Sequence, residues 1–463
     1  MEMPTEQTAT IIDWMRQQRW FGDKSRILDS FVFGTFGSVD GNAAPIELLT
    51  IDCGFRDGQR SSYFIPLVGE WPAGTHDPDV VVDAFDTVGF LDWLADGFGA
   101  RRSLTHHGRT MSWVPGPVAI AAGDGRLLHS DQSNTSIQYG DHAIAKVFRR
   151  LQPGVNPDVE VIQYLTEQTA FRQIPRHLGT VTVTTGTPGQ VVTLVAVQEY
   201  VRNEGDGWTW LLRELERHSP AHDYDALEGI ELLGKRTAEL HLALASPTKD
   251  RVFAPERILE GEIDALQVRL RDELDRTMAG VLEAGARSQA VIDELGTNVK
   301  SKLILAQSLA GSPKTRVHGD YHLGQVLRTD DDFVIIDFEG EPSRPLAVRR
   351  EKVSPLKDVA GMLRSLDYAV ASRERTEPEA GSPRIREWGE QARVAFLAGY
   401  RTPLQMRESS IFPRDDRAFF AALDLFLIEK ALYEIRYELD NRPHWLEIPL
   451  KAIESLTVRP VSD

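Results

Sequence analysis

The sequence predicts a mixed α/β (α+β) protein with a strand-rich first part and a mostly helical second part. Before residue 200, short runs of alternating apolar and polar residues are separated by turn sequences such as FRDGQR and TGTPGQ, which is typical of paired β-strands. From about residue 205 the apolar residues recur with the 3.6-residue period of helices. Only residues 316–338 break this helical pattern, and LRTDDDFVIIDFE predicts a β-hairpin there.

The strand-rich part divides into two predicted units, residues 1–100 and residues 101–200. The first opens with an amphipathic helix that ends at Gly22, continues with three short strands, and closes with a helix over residues 81–98. The second has about five strands and one helix, GVNPDVEVIQYLTEQ, which the pair Asn156-Pro157 is suited to begin.

Residues 201–463 form the third predicted unit, which carries apolar stripes over 207–218, 226–245, 256–310 and 416–440. The polar segment SRERTEPEAGSP, residues 372–383, predicts an exposed loop.

Composition narrows the classes of function. The chain has 463 residues, with 52 Lys and Arg against 69 Asp and Glu, so its net charge is −17. An acidic surface repels phosphate backbones, which disfavours nucleic-acid binding. A single cysteine, Cys53, excludes a disulfide framework. The N-terminus lacks the pattern of a secretory signal, and no stretch reads as membrane-spanning. We therefore expect a cytoplasmic protein with no membrane partner.

The segment VHGDYHLGQVLRTDDDFVIIDFEGE carries the strongest chemical signal. Asp320 precedes Gln325 by five residues, and a predicted hairpin then delivers Asp337. Protein kinases space a catalytic Asp, a metal-binding Asn and a metal-binding Asp in this way, because phosphoryl transfer needs a base for an alcohol and oxygen ligands for Mg²⁺. The alternative is an ordinary loop followed by an Asp that ends a strand. Glu339 and Glu341 are expected to be solvated loop charges.

A kinase also needs a cation for the phosphates of ATP, and AIAKVF supplies a candidate in Lys146. A lysine inside an apolar strand is costly unless an anion pairs with it. Glu160 on the following predicted helix is a candidate partner. The alternative is a lysine on an edge strand that faces water.

Two further segments are candidates for nucleotide contacts. Ser133, Asn134, Thr135 and Ser136 form a predicted turn whose backbone N–H groups could cradle phosphate, although it contains no glycine. Gln198 and Tyr200 lie where a kinase hinge would offer backbone groups to adenine.

At this point the chain resembles a known family. Seven segments are together similar to bacterial maltokinases. They are RWFGDKSR near the start, DQSNTS, KVFRRLQPGVNPDVE, RVHGDYHLGQVL, VIIDFEGEP, RREKVSPLKDVAGMLRSLDYA, and YELDNRPHWLEIPL near the end. These belong to the superfamily of aminoglycoside-phosphotransferase-like and eukaryotic-protein-kinase-like enzymes. The resemblance implies a bilobal protein-kinase-like fold with an N-terminal cap subdomain, a small β-rich intermediate lobe and a large, mostly helical C-terminal lobe.

The resemblance implies roles for particular residues. Asp320 would be the catalytic base, Gln325 and Asp337 would bind Mg²⁺, and Lys146 would contact the phosphates of ATP. It also implies an acceptor pocket lined by the C-terminal helix and its end. The residues that share one predicted helix face, or follow it, are Lys430, Tyr433, Tyr437, Asn441 and Trp445. His322 is a further candidate acceptor contact, whereas the two tyrosines could instead belong to a buried stripe.

The function implied first is transfer of the γ-phosphate of ATP to the anomeric hydroxyl of maltose, giving maltose 1-phosphate for α-glucan (glycogen) synthesis. The main alternative is a kinase of the same fold that acts on another sugar, chiefly glucosamine to give glucosamine 6-phosphate. An aminoglycoside kinase fits the acidic chain but leaves YELDNRPHWLEIPL unexplained. An alternative of a different class is a pseudokinase, or a partner subunit of a trehalose-isomerising enzyme.

Overall fold

The fold is described from a computed structural model, which divides the chain into two compact units. The first unit comprises Met1–Glu167 and Pro175–Arg202, and the second comprises Gln168–Ile174 and Asn203–Asp463. The structure describes residues 5–41, 44–69, 81–117, 120, 123–128, 134–184, 191–217, 220–342, 344–376, 382–406, 411–413 and 415–458. The sequence-based division of the first 200 residues into a cap and an intermediate lobe stays a prediction.

The first unit is rich in strands. Its elements in chain order are α1 (Thr5–Gln17), β1 (Leu28–Val39), β2 (Ile46–Phe55), β3 (Arg60–Val68), α2 (Val88–Gly99), β4 (Ser103–His106), β5 (Arg109–Pro115), β6 (Gly125–Leu128), β7 (Thr135–Tyr139), β8 (Ala143–Val147), β9 (Arg150–Leu151), α3 (Pro157–Gln168), β10 (His177–Thr184) and β11 (Val191–Glu199).

These strands form two sheets with the orders β1-β2-β3-β9 and β4-β5-β10-β11-β8-β7-β6. Every pairing between these strands is antiparallel. The larger sheet has seven strands where the sequence predicts about five. The difference arises because β4 and β6 have only four residues each, too few for a clear alternation of apolar and polar positions.

Two apolar cores stabilise the first unit. Trp20, Phe21 and Tyr63 pack with buried residues of α1, β1, β2 and β3. A larger core joins α2 and the preceding Phe85 to buried side chains of both sheets, including Leu48 and Trp113. Removing this apolar surface from water supplies most of the driving force for folding of the unit.

The second unit is mostly helical. Its elements in chain order are α4 (Gly207–Arg217), α5 (Pro220–Leu244), β12 (Glu256–Arg257), α6 (Glu260–Glu283), α7 (Gln289–Lys302), β13 (Pro313–Lys314), β14 (Val326–Arg328), β15 (Phe333–Ile335), α8 (Leu346–Arg349), α9 (Leu356–Thr376), α10 (Ser382–Met406), α11 (Asp416–Asn441) and α12 (Glu447–Val458).

Close helix packing depends on glycine at the contact between α5 and α10. A Cβ atom added at Gly399 would lie 1.9 Å from the carbonyl oxygen of Glu231, and one added at Gly234 would lie 2.1 Å from that of Phe396. Real atoms do not approach so closely, so only glycine permits the two backbones to touch here.

Several sequence predictions of local structure are confirmed. Helix α3 begins at Pro157, and the side chain of Asn156 accepts a hydrogen bond from the backbone N–H of Asp158 (2.9 Å). Strands β14 and β15 form the predicted hairpin. Residues 372–383 were expected to form a loop, but α9 continues through Thr376 and α10 begins at Ser382. Residues 377–381 lie outside the described part of the chain.

No helix within the described residues is long and apolar enough to cross a membrane.

Candidate active site

The loop that carries Asp320 is held in place by the buried carboxylate of Asp358 on α9. The two oxygens of Asp358 accept hydrogen bonds from the backbone N–H groups of His318 (2.8 Å) and Gly319 (3.0 Å), and Nε2 of His241 lies 3.1 Å away. Burial alone would raise the pKa of Asp358, but the hydrogen bond from His241 and the backbone N–H groups hold it below its ordinary value. The ionised carboxylate of Asp358, with hydrogen bonds to both oxygens, therefore fixes the position of this loop.

Glycine is required at the centre of this loop. Gly319 has φ +88°, a backbone conformation that favours glycine. Helix α9 approaches the loop so closely that a Cβ added at Gly361 would lie 2.6 Å from the carbonyl oxygen of Tyr321. The backbone N–H of Leu323 also donates to Oγ of Ser365 on α9 (3.1 Å). The loop is therefore held against α9 along its length.

The two histidines of the loop have structural contacts. Nε2 of His318 lies 2.8 Å from the carbonyl oxygen of Ile336, which ties the loop to the strand that delivers Asp337. His322 accepts a hydrogen bond from the backbone N–H of Gly324 through Nδ1 (3.1 Å), and burial lowers its pKa. Contact of His322 with an acceptor stays a prediction.

The structure brings the two predicted metal ligands to adjacent positions. The backbone N–H of Ile336 donates to the carbonyl oxygen of Gln325 (3.0 Å), so Asp337 follows directly beside Gln325. Asp337 has φ +67°, an uncommon conformation for a residue other than glycine and one that recurs at functional sites. A carboxamide and a carboxylate are oxygen donors of the kind that Mg²⁺ prefers. Among the described residues no group of three or more His, Cys, Asp and Glu side chains could hold a metal ion.

The expectation that Glu339 and Glu341 are solvated is wrong. Glu341 is only 4% exposed, forms an ion pair with Arg344, and lies 3.9 Å from Nζ of Lys430. The side chain of Glu339 is 15% exposed and lies 3.9 Å from Arg349. Sequence alone gave no sign of this because one partner of Glu341, Lys430, comes from the distant helix α11.

Helix α11 brings two of the predicted acceptor residues, Lys430 and Tyr433, next to Asp320. Nζ of Lys430 lies 3.5 Å from Oδ1 of Asp320 and 4.8 Å from the centre of the Tyr433 ring. The rings of Tyr433 and Tyr437 stack at 6.4 Å, and the side chain of Asn441 donates to the backbone oxygen of Tyr437 (2.9 Å).

The exposure of the two tyrosines argues against a buried stripe. Tyr433 is half-buried and Tyr437 is 43% exposed, so neither is a core residue. The fully buried face of α11 is instead formed by residues such as Leu425, Ile428 and Leu432.

Trp445 lies just beyond the end of α11 and packs against other protein groups. Its ring stacks on Tyr368 at 6.0 Å, and the guanidinium groups of Arg375 and Arg442 lie 5.1 and 5.3 Å from it. Arg442 also lies over Tyr437 at 5.3 Å, so the two aromatic residues are linked through one cation. A direct sugar contact by Trp445 stays a prediction.

In the first unit, Lys146 faces a carboxylate that sequence reasoning missed. Its Nζ lies 4.0 Å from Oδ2 of Asp158, and the same oxygen accepts a hydrogen bond from Nε2 of Gln198 (2.8 Å). Asp158 is buried, whereas Glu160, the predicted partner, is half-buried one half-turn further along α3. The signal available in the sequence was an acidic residue directly after the Asn156-Pro157 helix start.

The predicted phosphate turn requires a correction. Thr135 and Ser136 are buried residues of β7 rather than turn residues. Asn134 is described, and Ser133 lies outside the described residues. Oγ1 of Thr135 accepts a hydrogen bond from Nε of the fully buried Arg149 (2.8 Å), which also forms an ion pair with Asp83.

The predicted hinge lies at the end of β11. The backbone N–H of Glu199 donates to Arg176 (3.0 Å), and that of Tyr200 donates to His142 (2.9 Å). Since these two donors already have protein partners, any adenine contact here must use other backbone groups. The roles of Gln198 and Tyr200 toward a nucleotide stay predictions.

The chain is similar to known phosphotransferases. Residues 124–340 match the phosphotransferase enzyme family (APH). A glucosamine kinase of Streptacidiphilus jiangxiensis is 32% identical over 342 residues, which are 72% of this chain and 73% of that one. A glucosamine kinase of Mycolicibacterium smegmatis (strain ATCC 700084 / mc(2)155) is 30% identical over 378 residues, 80% of this chain and 88% of that one. The chain therefore belongs to the phosphotransferase enzyme family.

The fold is shared with solved structures. A glucosamine kinase in complex with glucosamine, ADP and inorganic phosphate superposes with a TM-score of 0.70 at 24% identity, covering 93% of this chain and 94% of that one. The predicted kinase-like fold with a large helical C-terminal part is thereby confirmed. The two relatives described above are named glucosamine kinases rather than maltokinases, so the finer part of the sequence resemblance is not supported.

Proposed function

We propose that this protein is an ATP-dependent kinase of glucosamine that forms glucosamine 6-phosphate and ADP. The observation that carries the proposal is that α11 places Lys430 and Tyr433 beside Asp320, so a candidate base and aromatic residues suited to a sugar share one site. The choice of glucosamine over maltose rests on the two relatives of 30% and 32% identity.

The chemistry follows from the residues present. A hydroxyl of the sugar would give its proton to the carboxylate of Asp320 while its oxygen attacks the γ-phosphorus of ATP. The bond from that phosphorus to the bridging oxygen breaks, and ADP leaves. Lys146, held by Asp158, is suited to the phosphates of ATP. Gln325 and Asp337 would hold Mg²⁺, which supplies positive charge to the phosphate oxygens.

Tyr433 and Tyr437 are suited to a sugar acceptor. Their stacked rings present apolar faces at the protein surface, and the C–H faces of a pyranose pack well on such rings. The side chain of Asn441 donates a hydrogen bond to the backbone oxygen of Tyr437, so Asn441 lies beside the two tyrosines at the end of α11.

The test is ADP release with glucosamine, maltose, glucose and an aminoglycoside as acceptors, followed by ³¹P NMR of the product. We expect turnover with glucosamine to exceed the others and the product to be a 6-phosphate. Faster turnover with maltose, giving a 1-phosphate, would restore the maltokinase interpretation. An absence of turnover with every sugar would favour a non-catalytic role.

A matched pair of variants tests the acceptor surface. Tyr437→Ala should raise the KM for the sugar by roughly 5- to 150-fold, the equivalent of ~1–3 kcal/mol for an aromatic anchor, and leave the KM for ATP nearly unchanged. Phe420→Ala is the control, because Phe420 lies on the same helix with a similar exposure of 39%. Equal effects of the two changes would remove α11 from the acceptor site.

A further inference from the structure

Lys430 makes its closest ionic contact with the candidate base. Its Nζ lies 3.5 Å from Oδ1 of Asp320 and 3.9 Å from Oε1 of Glu341, and its side chain is 19% exposed. Among the described residues it is the cation that reaches ion-pair distance from Asp320. This contact joins α11 to the catalytic loop across 110 residues of sequence.

The surroundings keep this lysine charged. Burial alone would lower the pKa of Lys430, but the carboxylates of Asp320, Glu341 and Glu434 together hold it above its ordinary value. The face of the Tyr433 ring adds a cation–π contact. Lys430 therefore places a positive charge beside Asp320 at neutral pH.

Charged groups of both signs surround Asp320. The small cavity beside it is lined by the acids Glu341, Asp358 and Glu429 and by the cations Arg344, Lys357 and Lys430. His318 and His322 lie on its own loop, and Asp337 follows β15. Arg344 forms an ion pair with Glu341 and Lys357 with Glu429, whereas Lys430 is the cation of this cavity that reaches Asp320.

We propose that Lys430 is a positioning residue for Asp320 rather than a contact to the sugar. It holds Oδ1 of the carboxylate and leaves Oδ2, which has no hydrogen-bond partner among the described residues, to receive the proton of the acceptor hydroxyl. Its charge also offsets the negative charge of the base when phosphate is bound. This inference deepens the proposed function and rests on it, since it assigns Asp320 the role of the base.

The first experiment measures kcat and both KM values from pH 5 to 9 for Lys430→Met and Lys430→Arg, with ATP and glucosamine. For Lys430→Met we expect kcat to fall by about 10- to 100-fold and the sugar KM to change less than about threefold, because the carboxylate of Asp320 loses the ion pair that holds it in place. Lys430→Arg keeps the charge and should restore most of kcat.

Lys314→Met is the matched control. Lys314 has a similar side-chain exposure of 15% and also contacts two acids, Glu256 and Glu262, which are not among the groups near Asp320. It should leave kcat unchanged. A large rise in the sugar KM of Lys430→Met with an unchanged kcat would overturn the inference and make Lys430 a sugar contact. Equal behaviour of the two Met variants would make it a packing residue.

A second measurement needs no acceptor. Crystal structures of the wild type, Lys430→Met and Lys430→Arg would show where the carboxylate of Asp320 lies. We expect it to keep its position in Lys430→Arg and to move in Lys430→Met, and an unchanged position in both variants would overturn the inference. Failure of glucosamine turnover in the wild type would contradict the proposed function alone, and the structures would still test the pairing.

Discussion

At the scale of the residue, Asp320 is the group on which turnover should depend most. Asp320→Asn keeps the size of the side chain and removes its capacity to accept a proton, so kcat should fall by about 10²–10⁴-fold. The dissociation constant of ATP, measured by calorimetry, should stay within a few-fold of the wild-type value.

Asp330→Asn serves as the control for this change. Asp330 is an exposed residue in the turn between β14 and β15, so its substitution should leave kcat unchanged. Near-normal turnover of Asp320→Asn would remove Asp320 as the base and direct attention to Glu341, the buried acid on the other side of Lys430.

The two predicted metal ligands should differ in their dependence on Mg²⁺. Asp337→Asn tolerates the left-handed backbone at this position but loses the charge, so activity should be nearly abolished at any practical Mg²⁺ concentration. Gln325→Ala loses a neutral ligand and should be partly rescued by high Mg²⁺. The measurement is kcat as a function of Mg²⁺ at saturating ATP, and identical titrations of the two variants would contradict this ranking.

At the scale of the element, the contact of α5 with α10 depends on the absence of a side chain. Gly399→Ala places a Cβ against the carbonyl oxygen of Glu231, which cannot move without displacing the helix. Overpacking of this kind should lower the free energy of unfolding by about 1–3 kcal/mol, measured by urea titration.

Gly296 offers the opposite case on α7. A Cβ added there meets nothing within 4 Å, so Gly296→Ala should raise the free energy of unfolding by about 0.5–1 kcal/mol through helix propensity. If Gly399→Ala and Gly296→Ala change the free energy of unfolding in the same direction, the close approach of α5 and α10 does not explain the effect of Gly399→Ala.

Elements also differ in how far the sequence predicted them. The start of α3 was predictable because Asn156 and Pro157 act locally, through one side-chain hydrogen bond and one preset φ. The extension of α9 into the polar segment 372–376 was not, because helices with a polar outer face carry no local signal that separates them from loops.

At the scale of the whole molecule, the buried ion cluster around Glu429 should govern stability in acid. Burial alone would raise the pKa of Glu429, but Lys357, Arg269 and Arg344 lower it from 4.5 to about 2. Because the pKa is lower in the folded state, the stabilisation is fully present above about pH 4.5 and is lost as the pH falls toward 2. It amounts to something on the order of 3 kcal/mol.

Glu429→Gln removes this contribution. At pH 7 the variant should be less stable than the wild type by about 3 kcal/mol in urea titrations, because the surrounding cations lose their counter-charge. The deficit should shrink steadily as the pH is lowered from 5 to 3. Glu283→Gln, at an exposed position near the end of α6, should show no such dependence. A deficit for Glu429→Gln that is constant with pH would show that shape rather than charge matters at this position.

The sequence by itself determined the mixed α/β class, the hairpin and the order Asp320, Gln325, Asp337, because each depends on residues close together in the chain. It also indicated that Lys430, Tyr433, Tyr437 and Asn441 share a helix face, since helical periodicity alone gives that result. Tertiary structure alone decided which carboxylates are buried and what they touch. The neighbouring residues in the sequence do not reveal the contacts of Asp158 with Lys146, of Asp358 with the loop that carries Asp320, or of Glu341 with Lys430. The reason is that ion-pair energies depend on distances and solvent exclusion, which arise only when distant segments pack together.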